Sequence, residues 1–187
     1  MMGVLFSEDR IDFRGKLTTG EIKQVVRNGG ADTLQTDTLP LDVSTLQRLN
    51  EEYFAKYPHT ELRIYTYGSC DLSLLKVMDK VRKLSVEASS GILGVDAIYQ
   101  LPALRHLCVE TPKIEDKDFL VKIPASLESL DLDIAAKSFD LKPLTRFTEL
   151  KVLGLHKCKK NIEAISELKQ LQSLKLHGIT PDSYLFV

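Results

Sequence analysis

A chain of 187 residues with 43% hydrophobic side chains is long enough to bury a continuous core. Its formal net charge of −1 argues against a general nucleic-acid or membrane-surface binder. Three widely spaced cysteines, Cys70, Cys108 and Cys158, form no disulfide framework and fit reduced thiols in a cytoplasmic protein.

At the N-terminus, Val4-Leu5-Phe6 is too short an apolar run for a signal-peptide core and has no basic lead. No later apolar run reaches the length of a membrane span. Ile11 to Phe13 is a weak strand candidate. From Gly20 to Arg27, Ile22, Val25 and Val26 recur at helical spacing, and Asn28-Gly29-Gly30 predicts a left-handed stop. A short strand over 34–36 follows. Ser44 to Gln47 reads as a capping box, with Ser44 as the cap. Leu46, Leu49, Tyr53 and Phe54 then share one helical face, which ends at Tyr57-Pro58. Leu62, Ile64 and Tyr65 open a run rich in strand formers.

From residue 81 one pattern recurs: apolar, two residues, apolar, one residue, apolar. It appears as Val81/Leu84/Val86, Leu104/Leu107/Val109, Leu127/Leu130/Leu132, Leu150/Leu153/Leu155 and Leu171/Leu174/Leu176. The central leucines lie 23, 23, 23 and 21 residues apart. A fixed period in this range marks a solenoid. Ile162, Ile165, Leu168 and Leu171 step by three, which suits tight helical turns. Pro102, Pro124 and Pro143 precede the motif, near the re-entry to a strand.

This pattern resembles the leucine-rich repeat family, well over residues 60–180 and loosely over 1–59. The resemblance implies an α/β fold: a right-handed leucine-rich-repeat solenoid with a parallel concave sheet of seven or eight strands and short helices or 3-10 turns on the convex side. It implies one domain over 1–187, with longer, irregular repeats or a cap over 1–59 and regular repeats over 60–187. Family repeats place Asn or Cys three residues after the last motif leucine, where the side chain bonds the turn backbone. Here those positions hold Ser89, Pro112, Ala135, Cys158 and Ile179, of which only Cys158 fits. The resemblance points to a non-enzymatic protein-interaction module.

Side chains alternate along a strand, so residues between the motif leucines face out in columns. One column reads Gln35, Arg63, Ser85, Cys108, Asp131, Gly154 and Lys175; the next reads Asp37, Tyr65, Glu87, Glu110, Asp133, His156 and His177. Glu87, Glu110, Asp131 and Asp133 make an acidic cluster whose members repel one another. It reads either as a solvated face or as a docking surface for a basic protein or peptide partner or a cation. In the second reading Asp37, Arg63, Tyr65, Glu87, Glu110, Asp131, Asp133, His156 and His177 line the binding face, with Tyr65 as the aromatic anchor. Asp133, His156 and His177 also admit a metal-binding or hydrolytic module, against the plainer reading of two exposed histidines.

Catalytic signals are otherwise missing. Gly29-Gly30 and Gly91-x-x-Gly94 lack the lysine and the strand–turn–helix setting of a phosphate loop. A Cys108–His106 dyad has no third residue to orient it. Lys157, Lys159 and Lys160 read as a solvated turn rather than a nucleic-acid contact. The expectation is therefore no cofactor, no catalytic residue, no nucleic acid and no membrane. A third reading makes the chain the recognition part of a longer protein whose activity lies elsewhere. The apolar run Tyr184 to Val187 is expected to cover the last core layer or to meet a second copy.

Overall fold

In the computed structural model, which describes residues 3–37, 40, 42–134 and 139–179, eleven strands are placed. They are β1 (Val4–Phe6), β2 (Arg10–Phe13), β3 (Thr33–Thr36), β4 (Glu61–Thr66), β5 (Ser69–Asp71), β6 (Lys83–Ala88), β7 (Gly91–Leu93), β8 (His106–Thr111), β9 (Ser129–Ile134), β10 (Val152–His156) and β11 (Ser173–His177). Nine of them form one sheet in the order β1-β2-β3-β4-β6-β8-β9-β10-β11. Every pairing in it is parallel except β1 with β2. Short helices connect the strands: α1 (Thr19–Arg27), α2 (Val43–Arg48), α3 (Asp96–Tyr99) and α4 (Phe119–Lys122).

The register is that of the repeated motif. Leu62, Leu84, Leu107, Leu130, Leu153 and Leu174 are aligned partners across successive strands. All but Leu174 are buried, and they belong to one core cluster that runs from Val4 to Ile179. Burying one such side chain contributes roughly 1.5–3 kcal/mol. On β11, Leu174 and Leu176 are only half-buried, because no further strand lies beyond them among the described residues. The tail expected to cover them, Tyr184 to Val187, lies outside the described residues, as does Ala135.

Several local expectations need correction. The sheet has nine strands where seven or eight were expected. The extra one is β1, a run of three residues that pairs antiparallel with β2 across a turn in which the Ser7 hydroxyl and amide both donate to Arg10 O. The cap of α2 is Asp42, not Ser44. The Asp42 carboxylate accepts the Thr45 amide at 2.8 Å and the Ser44 hydroxyl at 2.7 Å. An anion at a helix N-terminus gains from the helix dipole as well as from the hydrogen bond, so the charged acceptor takes the position. These same two bonds hold the Asp42 carboxyl below its ordinary range, Ser44 contributing most.

After α2 the chain widens into a π-type turn, Leu49–Phe54, and the expected face of Leu46, Leu49, Tyr53 and Phe54 is buried throughout. Helix α1 carries a capping box that the sequence reading missed: the Glu21 amide donates to the Thr18 hydroxyl and the Thr18 amide to the Glu21 carboxylate. Its stop is not left-handed at Asn28 (φ −92°); Gly30 takes the positive φ, +102°. Gly29 lies against the ring of Tyr57, where an added Cβ would sit 2.0 Å from the nearest ring carbon.

Pro143 sits inside a 3-10 turn, Lys142–Arg146, rather than at strand re-entry, because its missing N–H costs nothing in the first turn. The step of three from Ile162 does form a 3-10 turn, Ile162–Glu167. Gly91 opens β7, which pairs with β5 in a second, two-stranded sheet. Cys158 acts as expected of its position, its thiol donating to Ile134 O of β9 at 3.4 Å. Ser89, judged a poor fit, does the same work, since its hydroxyl donates to Tyr67 O one repeat earlier.

Two substitutions test this account by chemical denaturation. Leu130→Ala removes a fully buried motif leucine and is expected to cost about 2–5 kcal/mol. Asp42→Ala is expected to cost about 0.5–2 kcal/mol, and Ser44→Ala clearly less, since Ser44 donates to the cap rather than forming it.

Candidate functional site

The out-facing columns lie where the sequence placed them. Tyr65, Glu87, Glu110, Asp133, His156 and His177 are register partners on β4, β6, β8, β9, β10 and β11. Arg63, Ser85, Cys108, Asp131, Gly154 and Lys175 form the column beside them. Asp37 does not join its column. Strand β3 ends at Thr36, and Asp37 is held by Arg14 at 2.9 Å.

The carboxylates are not left to repel one another. Arg63 grips Glu87 with two parallel bonds, Nε to Oε1 and Nη2 to Oε2, each 2.7 Å. Its Nη1 donates to Gln35 Oε1 at 2.9 Å, and Gln35 Nε2 donates to Asp12 Oδ1 at 3.1 Å. Arg10 Nε closes the chain on Asp12 at 3.0 Å. A polar ladder thus crosses β2, β3, β4 and β6. Bidentate, charge-assisted pairs of this kind fix geometry as well as charge.

Farther along, His156 stands between Asp131 and Asp133, with Nε2 at 3.6 Å and Nδ1 at 3.4 Å from their oxygens. Asp131 reaches this place because residue 154 is glycine; an added Cβ there would meet the Asp131 carboxylate at 2.4 Å. Glu110 alone of the four carboxylates has neither an ion pair nor a hydrogen bond among the described residues. The cluster is therefore acidic: Arg63 neutralises Glu87, Glu110 has no partner among the described residues, and His156 offsets Asp131 and Asp133 only when protonated.

His156 and His177 do not form a metal centre with Asp133. Their rings stack, with centroids 4.5 Å apart and planes 19° from parallel. The in-plane nitrogens of stacked rings run side by side instead of converging on one point. Among the described residues no group of three or more His, Cys, Asp or Glu is arranged to hold a metal ion.

Cys108 and His106 also fail as a nucleophile pair. They lie two residues apart on one strand face, about 6.6 Å along the strand. Burial, reinforced by Asp131, pushes the Cys108 thiol up to about 11. Burial pulls the His106 imidazole below its ordinary value. Both shifts disfavour the charged species that a thiolate–imidazolium pair needs.

What the fold does assemble is a groove of about 430 Å3 over the C-terminal ends of β4, β6, β8 and β9. Tyr65 and Tyr67 form one wall, in edge contact with centroids 5.2 Å apart. Glu87, Glu110 and Asp133 line it, with Pro112 and Lys157 toward the far side. Tyr67 is 82% exposed, the most open of the large hydrophobic side chains among the described residues. The sequence reading missed Tyr67, Pro112 and Lys157. Tyr65-x-Tyr67, in a run of strand formers, was the available signal, but β4 ends at Thr66 and Tyr67 lies just beyond it.

No protein-family model matches the chain, and no curated protein matches it. Among solved structures it is similar to the crystal structure of an internalin (inlF) from Listeria monocytogenes. The identity is 14%, the TM-score 0.40, and the match covers 87% of this chain and 66% of that one. The chain thus spans less than two thirds of the length of that structure. The reading of the fold rests on its own sheet register, a mostly parallel α/β arrangement. Among the described residues no helix is long and apolar enough to cross a membrane.

Alkylation by iodoacetamide tests the thiol assignment. At pH 7, Cys108 should react about a hundredfold more slowly than an unperturbed cysteine, because so much less of it is thiolate. The rate should climb about tenfold per pH unit until the pH nears 11, followed by site-resolved mass spectrometry.

Proposed function

We propose that the chain is a leucine-rich-repeat solenoid that acts as a non-enzymatic interaction module and captures a basic peptide segment in the Tyr65–Tyr67 groove. The observation that carries this is the meeting of an exposed tyrosine ring, Tyr67, and the half-buried ring of Tyr65 with the unpartnered carboxylate of Glu110 in one cleft. Arginine and lysine side chains are recognised by that combination. Their stems and cationic heads stack on aromatic faces, and the charge is met by a carboxylate. The regular 21–23-residue spacing supports the solenoid.

Roles within the site differ. Tyr65 and Tyr67 supply contact area, the usual source of affinity at an interface. Glu110 and Asp133 supply the field that steers a basic partner inward. Glu87 contributes less charge than its position suggests, because Arg63 already holds it. Arg63 in turn sits 5.5 Å from the Tyr65 ring, which props the aromatic wall from behind. Asp131, His156 and His177 lie beside Asp133 without lining the groove, and Asp37 lies outside it.

A fluorescent, end-capped peptide of alternating arginine and glycine is a suitable probe. In stopped-flow mixing, Glu110→Gln with Asp133→Asn should slow association by about tenfold at low salt and flatten its salt dependence, with an unchanged melting temperature. Tyr67→Ala should instead speed dissociation, by a factor of about 10. An association rate and salt response that survive the double change would show that the acidic column is only a solvated face.

A further inference from the structure

At the opposite end of the strands the same sheet face is basic. A pocket of about 180 Å3 opens there, lined by Pro58, His59, Arg82, Lys83, Arg105, His106 and one carboxylate, Glu128. It lies about 13 Å from the tyrosine groove, the rise of the four residues from His106 to Glu110 along β8. The sequence reading assigned it no role.

The arrangement is built rather than incidental. Lys83 and His106 are register partners on adjacent strands. The amides of Arg105 and His106 both donate to Arg82 O, at 2.9 and 3.0 Å, which locks the two arginine backbones one strand apart. The Arg105 guanidinium is anchored through Nη1 alone, to Leu104 O at 2.8 Å, Ser126 Oγ at 3.1 Å and Pro102 O at 3.3 Å. Nε and Nη2 have no partner among the described residues. Neither Arg82 nor Lys83 has an ion pair there either.

Two carboxylates face this end. Glu128 is taken by Lys151 at 2.7 Å. Glu61, the register partner of Lys83, makes no close ion pair, and burial holds its carboxyl above the ordinary range. Positive charge therefore prevails. The His106 imidazole registers this: after burial, Lys83 contributes most to holding it neutral, helped by Arg82 and Lys151 and opposed by Glu128.

We propose that this pocket is an anion site that takes a single phosphate group, as the free ion or as a phosphate monoester. Size sets the class. Pockets for drug-sized molecules span about 300–1,000 Å3, so this smaller one matches a compact oxyanion rather than a whole nucleotide. Chemistry sets the preference for phosphate. A planar guanidinium with two free donor nitrogens, a second arginine and a lysine supply several charge-assisted donors to a tetrahedral dianion. The site stands independently of the groove, since it shares no residue with it.

The test is a nuclear magnetic resonance titration of the whole chain with inorganic phosphate and with O-phosphoserine, at constant ionic strength, with chloride as control. Saturable shifts centred on Lys83, Arg105 and His106 are expected. The His106 titration midpoint should rise by more than half a pH unit in phosphate, because a bound dianion favours the imidazolium. Arg82→Gln with Lys83→Gln should weaken binding at least tenfold and leave the melting temperature unchanged, whereas Glu110→Gln should leave binding as it is. Tighter binding of phosphoserine assigns the site to a carried phosphate, and tighter binding of phosphate assigns it to the free ion. Linear shifts equal to those in chloride, or a double variant that binds as well as the parent, would overturn the proposal.

Discussion

Each repeat of this chain is too short to bury its own apolar residues. Its three motif positions become core only when the neighbouring strand lies in register beside it, Leu107 against Leu84 on one side and Leu130 on the other. A slip of one residue would turn every leucine outward and every polar residue inward. Burial thus enforces a strict parallel register along the sheet. The register in turn decides which polar side chains become neighbours. The core and the surface columns are two consequences of one constraint.

Charge in those columns is managed locally. Arg63 spans from Gln35 to Glu87 and neutralises a carboxylate that would otherwise face Glu110 directly. His156 occupies the gap between Asp131 and Asp133, a position opened by the missing side chain of Gly154. These pairings leave the face polarised along the strands. The C-terminal ends carry tyrosines with an unpartnered carboxylate, and the N-terminal ends carry arginine and lysine. An uncompensated charge at each end makes the face directional.

The parts that departed from expectation share a cause. At Asp42 the choice of cap turned on which acceptor is the stronger, and a carboxylate outcompetes a hydroxyl two residues on. Strand β1 is three residues long and gains its place only from its partner β2. The ladder serine, Ser89, bonds a carbonyl 22 residues away. The first is a competition between near-equal local options, the second a short hairpin pairing with the next strand, and the third a bond to a partner distant in sequence, and none of them leaves a periodic trace.

By itself the sequence determined the repeat spacing, the motif leucines, the parallel order of the motif strands and the membership of the two polar columns from β4 onward, because all of these follow from periods of two and of about 21–23 residues; Asp37, one strand earlier, fell outside its column. It also told which residues of the columns carry charge. Only the tertiary structure decided which charges are already satisfied, since Arg63 could have turned to any neighbour and chose Glu87 and Gln35. It alone set Tyr67 beside Tyr65, stacked His156 on His177 so that their nitrogens do not converge, and gathered Arg82, Lys83, Arg105 and His106 around one pocket. Side-chain direction and cross-strand pairing are properties of the assembled sheet, and no single repeat contains them.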